Sequence, residues 1–246
     1  MRGIPAMPKH IFFDLDNTLT PSKSLILPEH VPLLKALSER ADVIVVSGHG
    51  DKDIRKHLRP ELAGTYHILG QNGNRAETKD GRVLWNHSLV QAQKDAILAF
   101  VAKVRAFLNY KVRDENDIVE DRDSQIAFSL IGHHEDKAKK DAFDPKHEIR
   151  LKLLSEFSAD VERLKEADVE VRSGGTTVLD FFSLGKNKGY NVAEFIREMG
   201  WKKEECLYMG DALFPGGNDE TVIGVIPTHA VKDQNETFDY IKANLL

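Results

Sequence analysis

Cysteine is almost absent from this chain: Cys206 is the only one in 246 residues. An internal disulfide framework is therefore excluded, and a reducing compartment is expected. Cys206 lies in the apolar run Cys206-Leu207-Tyr208-Met209, which marks a small core residue rather than a nucleophile. An excess of basic residues is missing too: 34 Lys and Arg face 39 Asp and Glu, a net charge of -5. Non-specific nucleic-acid binding depends on clustered Lys and Arg, so no nucleic-acid partner is expected. No apolar run approaches the roughly 20 residues that span a bilayer, and no repeat or low-complexity segment is visible. The opening Met1-Arg2-Gly3-Ile4-Pro5 has no apolar signal-peptide core. A cytoplasmic protein without a membrane partner is expected.

What is present is ordinary globular composition, 41% hydrophobic and 30% charged, long enough for a core domain carrying an inserted smaller one. The chain is organised around His10-Ile11-Phe12-Phe13-Asp14-Leu15-Asp16-Asn17-Thr18. A short apolar run reads as a buried strand. It stops on two carboxylates one residue apart, which places them at the strand's carboxyl end, the edge where open α/β sheets bind ligands. Two desolvated carboxylates so close need a cation or a positive side chain. The alternative is a polar turn with a helix cap.

Further along, Leu33, Leu34 and Leu37 recur at helical spacing. The strand Val43-Ile44-Val45-Val46 then runs into Ser47-Gly48-His49-Gly50 and a helix from Asp51. A third strand, Tyr66-His67-Ile68-Leu69, completes a β-α-β-α-β pattern, the mark of a parallel sheet. The pattern then changes. A turn at Lys79-Asp80-Gly81-Arg82 precedes the short strand Val83-Leu84-Trp85. Residues 91–108 form a long amphipathic helix, and residues 118–130 are strand-like. Residues 135–140 read as a loop or solvated face, and one helix runs from Pro145 through Leu164. Two strands flank Ser173-Gly174-Gly175. Residues 83–184 thus form an α+β unit inserted between residues 1–82 and 185–246. The last part returns to the first style, with a helix opening at Lys188, the strand Leu207-Tyr208-Met209 ending on Gly210-Asp211, a turn through Asn218 and Asp219, and a strand over residues 222–226.

Four element ends therefore carry polar signals: Asp14 with Asp16, Ser47, Lys188, and Asp211 with Asn218 and Asp219. In a parallel sheet the carboxyl ends of the strands share one edge, so these residues can meet in one pocket. Carboxylates are the hard ligands that Mg²⁺ prefers. A phosphate bound there would be compensated by the metal and Lys188 and hydrogen-bonded by Ser47. Phosphoryl transfer needs mainly such positioning and charge compensation. One aspartate would attack, and the second would move the proton.

Asp14-Leu15-Asp16-Asn17-Thr18, Ser47, Lys188 and Gly210-Asp211 with Asn218-Asp219 match, in order, the four motifs of the haloacid-dehalogenase-like phosphohydrolases, which this chain resembles. The resemblance implies a Rossmann-like α/β core with an inserted α+β cap. It implies Asp14 as nucleophile, Asp16 as general acid and base, and Ser47 with Lys188 holding the phosphoryl group, the neighbouring Gly48 included in the substrate site. It further implies Mg²⁺ held by Asp14, the Asp16 carbonyl and Asp211, with Asn218 and Asp219 in support. The turn from Gly210 to Asp219, the stretches around Arg122 and Ile131-Gly132, and Gly174-Gly175 with Asp180 are similar to eukaryotic-type phosphomannomutases and their bacterial phosphatase-like relatives. Arg122 matches a mutase arginine for the distal phosphate, and Asp180 a sugar-contacting aspartate. Other mutase arginines are replaced here by Lys23, His133 and a lysine near Lys139, and a mutase serine by Val178. Arginine grips phosphate bidentately and lysine does not, so the cap should retain a bisphosphate poorly. A Mg²⁺-dependent phosphatase for a phosphorylated sugar or similar metabolite is therefore expected ahead of a mutase, and both ahead of a non-catalytic sugar-phosphate binder. The partners expected are a small-molecule phosphate ester and, through the cap, a second copy of the chain.

Overall fold

The computed structural model describes residues 7–108 and 110–246; the opening Met1–Pro5 lies outside them. Its strands are β1 (His10–Asp14), β2 (Asp42–Val46), β3 (Tyr66–Gly70), β4 (Arg75–Glu77), β5 (Val83–Asn86), β6 (Val119–Asp121), β7 (Ile126–Ser129), β8 (Val169–Gly174), β9 (Val178–Ser183), β10 (Cys206–Gly210) and β11 (Thr228–Ala230). Its helices are α1 (Val31–Ser38), α2 (Asp51–Leu58), α3 (Gln91–Phe107), α4 (Lys137–Phe143), α5 (Glu148–Glu156), α6 (Ser158–Glu166), α7 (Lys188–Glu198) and α8 (Gln234–Asn244). Among the described residues no helix is long and apolar enough to cross a membrane.

Strand periodicity explains the first unit. Along β1, Ile11 and Phe13 point to one face, where Leu34 and Leu37 of α1, Ile54 and Leu58 of α2 and Phe238 and Ile241 of α8 cover them. Phe12 points to the other, where Val192, Phe195 and Ile196 of α7 lie. A sheet covered on both faces needs apolar residues at nearly every strand position, which is how β1, β2 and β10 read. The sheet order is β11-β10-β1-β2-β3-β4-β5. The strands from β11 to β3 are parallel, and β4 and β5 fold back antiparallel. Because the chain leaves β1 toward β2 and later returns on its other side at β10, the reversal of strand order falls between β1 and β10. That is where such sheets bind ligands. At the opposite end of β1, Trp201 stacks on His10 with centroids 3.8 Å apart. Trp85 donates to the Gly73 carbonyl at 2.9 Å.

The second unit is a four-stranded antiparallel sheet, β6-β7-β9-β8. Ile126 and Phe128 of β7 and Leu179 and Phe181 of β9 pack on Ile97, Phe100, Val101 and Val104 of α3, with Leu153 and Leu164. Arg150, fully buried on α5, holds this unit's loops together. Its guanidinium donates to the Asp144 carboxylate at 2.9 Å and to the carbonyls of Asp144, Gly174, Gly175 and Val178 at 2.6–3.2 Å.

Several expectations change. Val83–Asn86 belongs to the first sheet, pairing with β4, so the chain leaves the first unit after Asn86 and returns at Asn187, not at 82 and 185. The helix expected from Pro145 to Leu164 breaks at Phe157, whose ring turns onto Phe100 and Phe107. Residues 135–139 form the loop and solvated face expected, now as the start of a short helix, and Lys140 alone departs from it. Asp136 caps α4 by accepting from the Lys139 N–H, and Lys140 is buried, donating to the His133 carbonyl. Residues 222–226 form no strand. A 3-10 turn at Glu220–Val222 and Gly224 at φ +86° redirect the backbone, and the sheet ends instead on β11. Cys206 is fully buried in β10, its thiol pushed up to about 12 by that burial.

Removing a buried charged donor while its partner stays costs about 3–5 kcal/mol. Arg150→Met should therefore lower the urea midpoint by a margin of that order and speed hydrogen exchange in β8 and β9. Unchanged exchange there would show that the guanidinium holds nothing.

Candidate active site

Beyond β1 the chain turns back at once. The Leu15 carbonyl accepts from the N–H groups of Leu19 at 2.9 Å and Thr20 at 3.0 Å, with Asn17 at φ +55° between them. Leu15 goes into the core, so Asp14 and Asp16 lie on the alternate positions, at the carboxyl end of β1.

Lys188, at the first position of α7, is 1% exposed and lies between two carboxylates: its Nζ donates to Asp14 at 2.5 Å and to Asp219 at 2.7 Å. Local sequence sets this position. Asn187 caps the helix by accepting from the Tyr190 N–H at 3.1 Å, and Asn191 donates to the Asn72 carbonyl at 3.0 Å. Gly189 lies so close to the chain after Asp219 that a Cβ there would come within 1.9 Å of the Thr221 carbonyl oxygen. The Tyr208 hydroxyl, fully buried on β10, donates to the same Asp219 oxygen at 2.6 Å, and the Ala212 N–H donates to the other at 3.3 Å. Asp211 follows β10 directly and accepts from the Asn17 side chain at 3.2 Å.

Burial dominates the electrostatics here. It pushes the Asp14 carboxyl well up, against the pull of Lys188. Burial also works to lower Lys188, but Asp14 and Asp219 outweigh it and hold the ammonium above its usual range. Asp211 is pushed up to about 7 by burial and by the charge of Asp219.

Asp16 has separate partners. One of its oxygens accepts from the Lys23 backbone N–H at 2.5 Å, and the other lies 2.9 Å from His49 Nε2. Burial works to raise Asp16, yet His49 and that N–H hold it well below the usual carboxylate range. Ser47, buried at the end of β2, accepts on its hydroxyl oxygen from the His49 N–H at 3.2 Å. Gly48 follows Ser47 in the loop before α2.

Asp14, Asp211 and Asp219 each offer an oxygen within 4.8 Å of the others, a set of hard donors. Three carboxylates face one ammonium, so the charge balance and the ligand type both fit a divalent cation.

Asp14, Lys188, Asp211 and Asp219 thus come together, and Asp16 lies beyond Asp14 with partners of its own. Asn218 directly precedes Asp219 in the chain and belongs, with residues 216–217, to the second unit. Lys23 reaches Asp16 through its backbone, at φ +51°, and not through its ammonium. Within the second unit, Arg122 is held by Glu120, 3.0 Å from its Nε. Asp180 accepts from Gln125 at 2.7 Å and sits against Gly174, where a Cβ would come within 2.2 Å of its carboxylate. Sequence reasoning missed His49 and Tyr208. Tyr208 lay inside an apolar run and looked like core, and the only signal for His49 was its place two residues after Ser47.

Asp211 supplies a test with a definite sign. Its folded-state value lies above the 3.8 of an unfolded aspartate, so between about pH 4 and 7 the folded protein keeps a proton that the unfolded chain has lost, and stability falls as pH rises. Metal-free protein should therefore melt lower at about pH 8 than at about pH 5, by roughly 2–4 °C per kcal/mol lost. Added Mg²⁺ should remove that slope, and Asp211→Asn should flatten it without metal. A slope that Asp211→Asn leaves unchanged would show that Asp211 is not buried against like charge, since the opposing contribution of His10, His30 and His57, whose values burial lowers, is common to both proteins.

A family model described as haloacid dehalogenase-like hydrolase matches residues 11–221. Relatives include the phosphomannomutase of Triticum aestivum, 26% identical over 249 residues that cover 95% of this chain and 94% of that protein. Phosphomannomutase 1 of Dictyostelium discoideum is 26% identical over 214 residues, covering 84% and 83%. Among solved structures, the N-terminally truncated, IMP-bound IMP-nucleotidase of Plasmodium falciparum superposes with a TM-score of 0.71 at 15% identity, over 97% of this chain and 68% of that one. A haloacid dehalogenase-like hydrolase from B. subtilis gives 0.65 at 14%, over 96% of this chain and 100% of that one. The structures speak for the fold. The matched stretch begins in β1 and ends beyond Asp219, so it contains all four motifs, and the chain belongs to the haloacid dehalogenase-like hydrolases.

Proposed function

We propose that the chain is a Mg²⁺-dependent phosphatase that hydrolyses a phosphorylated sugar or related small metabolite through an aspartyl-phosphate on Asp14. One observation carries this: two carboxylates of one strand end are held apart electrostatically. Asp14 shares a buried ammonium with Asp219, while Asp16 is held by His49 and a backbone N–H. A nucleophile and a proton carrier need such different surroundings.

Asp14, Asp211 and the Asp16 carbonyl would hold Mg²⁺, with Asp219 supporting; once bound, the ion supplies positive charge against the phosphoryl oxygens. The Asp14 oxygen not committed to Lys188 attacks phosphorus. The bond to the leaving oxygen breaks, and that oxygen takes a proton that Asp16, a carboxylate in the resting site, has received from the monoanionic phosphate ester. Lys188 and the Ser47 hydroxyl hold the phosphoryl oxygens. Asp16, now a carboxylate, takes a proton from the water that attacks phosphorus next. Inorganic phosphate departs and the Asp14 carboxylate is restored. Asp219, with its Oδ1 filled by two donors, serves chiefly to aim Lys188.

The second reading is a phosphomannomutase, favoured by the relatives that carry that name. What supports hydrolysis instead is the commitment of the second unit's basic groups within that unit. Arg122 pairs with Glu120, Lys140 donates to the His133 carbonyl, and His133 lies 3.5 Å from Glu120 where the mutases have arginine. Weak hold on a bisphosphate leaves the phosphoenzyme to water.

Asp14→Asn should abolish phosphate release from an aryl phosphate, and Asp16→Asn should slow turnover of a sugar phosphate by about 10²–10⁴-fold. Incubation with mannose 1-phosphate and a hexose 1,6-bisphosphate should release free phosphate in step with substrate loss. Isomerised sugar phosphate without net phosphate release would establish the mutase instead.

A further inference from the structure

We propose that His49 is the positioning residue of the proton-carrying carboxylate, fixing Asp16 against the leaving oxygen; this rests on the acid–base role given to Asp16 above. Asp16 lies in the turn beyond the last residue of β1, where a bridge to Thr20 sets its backbone, so what remains to be fixed is the carboxylate at the end of its side chain. A proton carrier must meet first the leaving oxygen and then the attacking water within hydrogen-bond reach, and misplacement of the order of 1 Å costs about 10²-fold in rate.

His49 is built to provide that constraint. Its own backbone is tied at both ends: the N–H donates to the Ser47 hydroxyl oxygen at 3.2 Å, and the carbonyl accepts from the Gln71 N–H at 2.9 Å. Gly70 keeps that contact close, since a Cβ there would come within 3.1 Å of the His49 carbonyl oxygen. The ring is backed edge-on by His57, with centroids 5.1 Å apart. From this anchored frame Nε2 reaches Asp16 Oδ2 at 2.9 Å, while the Lys23 N–H holds Oδ1. Two separate segments thus fix the two carboxylate oxygens, and each oxygen keeps a second lone pair for the transferred proton. The same residue sets Ser47. With the His49 N–H directed at the Ser47 oxygen, the hydroxyl proton is left to donate to a phosphoryl oxygen. One loop residue therefore coordinates the phosphate grip with the proton path.

The test compares two esters with two variants of the full chain. Gln places an N–H where the histidine has Nε2, whereas Asn places one where it has Nδ1 and falls short of Asp16. kcat/KM reports the steps up to departure of the leaving group. Nitrophenolate departs without a proton, but the alkoxide of a sugar phosphate needs one. His49→Asn should lower kcat/KM for a hexose 6-phosphate by about 10–100-fold while leaving 4-nitrophenyl phosphate within about 3-fold. His49→Gln should recover most of the loss. Equal losses on both esters, no loss on the hexose phosphate, or a Gln variant no better than Asn would each overturn the proposal. Asp16→Asn separates the two possible failures. If it shows the leaving-group dependence and His49→Asn does not, only the His49 role falls. If neither shows it, the acid–base assignment of Asp16 falls as well.

Discussion

One ammonium among three carboxylates determines this site. Lys188 approaches Asp14 from 174 residues further along the chain, and both it and its two carboxylate partners are withdrawn from water. Removing a charge of either sign from such a cluster leaves the others buried and uncompensated. Much of the surrounding structure maintains that geometry: the missing side chain at Gly189, the Asn191 bond to the Asn72 carbonyl, and the Tyr208 hydroxyl beneath Asp219. The charge is still not balanced. Asp211 remains pushed up to about 7, and that deficit of positive charge is what suits the cluster to a divalent cation.

The topology makes such a cluster attainable. Strand order reverses between β1 and β10, so the turns that follow these strands open apart instead of packing side by side. Asp14 and Asp16 come from one side of that opening and Asp211 and Asp219 from the other. Two residues of spacing along β1 then separate the fates of Asp14 and Asp16: one faces the buried lysine, the other faces the loop of β2.

The core was legible in the sequence because its signals are local. A parallel strand buried on both faces is an uninterrupted apolar run, and the polar residue that ends each run marks the ligand edge. Asp14 and Asp211 are legible in that way, whereas Lys188 at a helix start and Asp219 in a turn stand out only through the family motifs. What escaped such reading depends on partners distant in the chain. His49 meets Asp16 across 33 residues, and no periodicity connects a histidine in a Ser-Gly turn to a strand end. Tyr208 hid its function inside a core strand because only its hydroxyl oxygen leaves the apolar layer. Lys140 looked solvated among neighbouring lysines, although a carbonyl took it inside. Val83–Trp85 was read as the start of the inserted unit because an antiparallel edge strand has the same local pattern wherever it pairs.

The placement of the two tryptophans has an optical consequence. Trp85 and Trp201 both belong to the first unit, one bonded to the Gly73 carbonyl and the other stacked on His10, while residues 87–186 contain none. Emission excited at the red edge of indole absorption therefore originates wholly from the unit that carries the carboxylate cluster. The inserted unit is silent at that wavelength, so a fluorescence melt follows the first unit alone. A single unmodified sample thus carries a built-in label that distinguishes the two bodies.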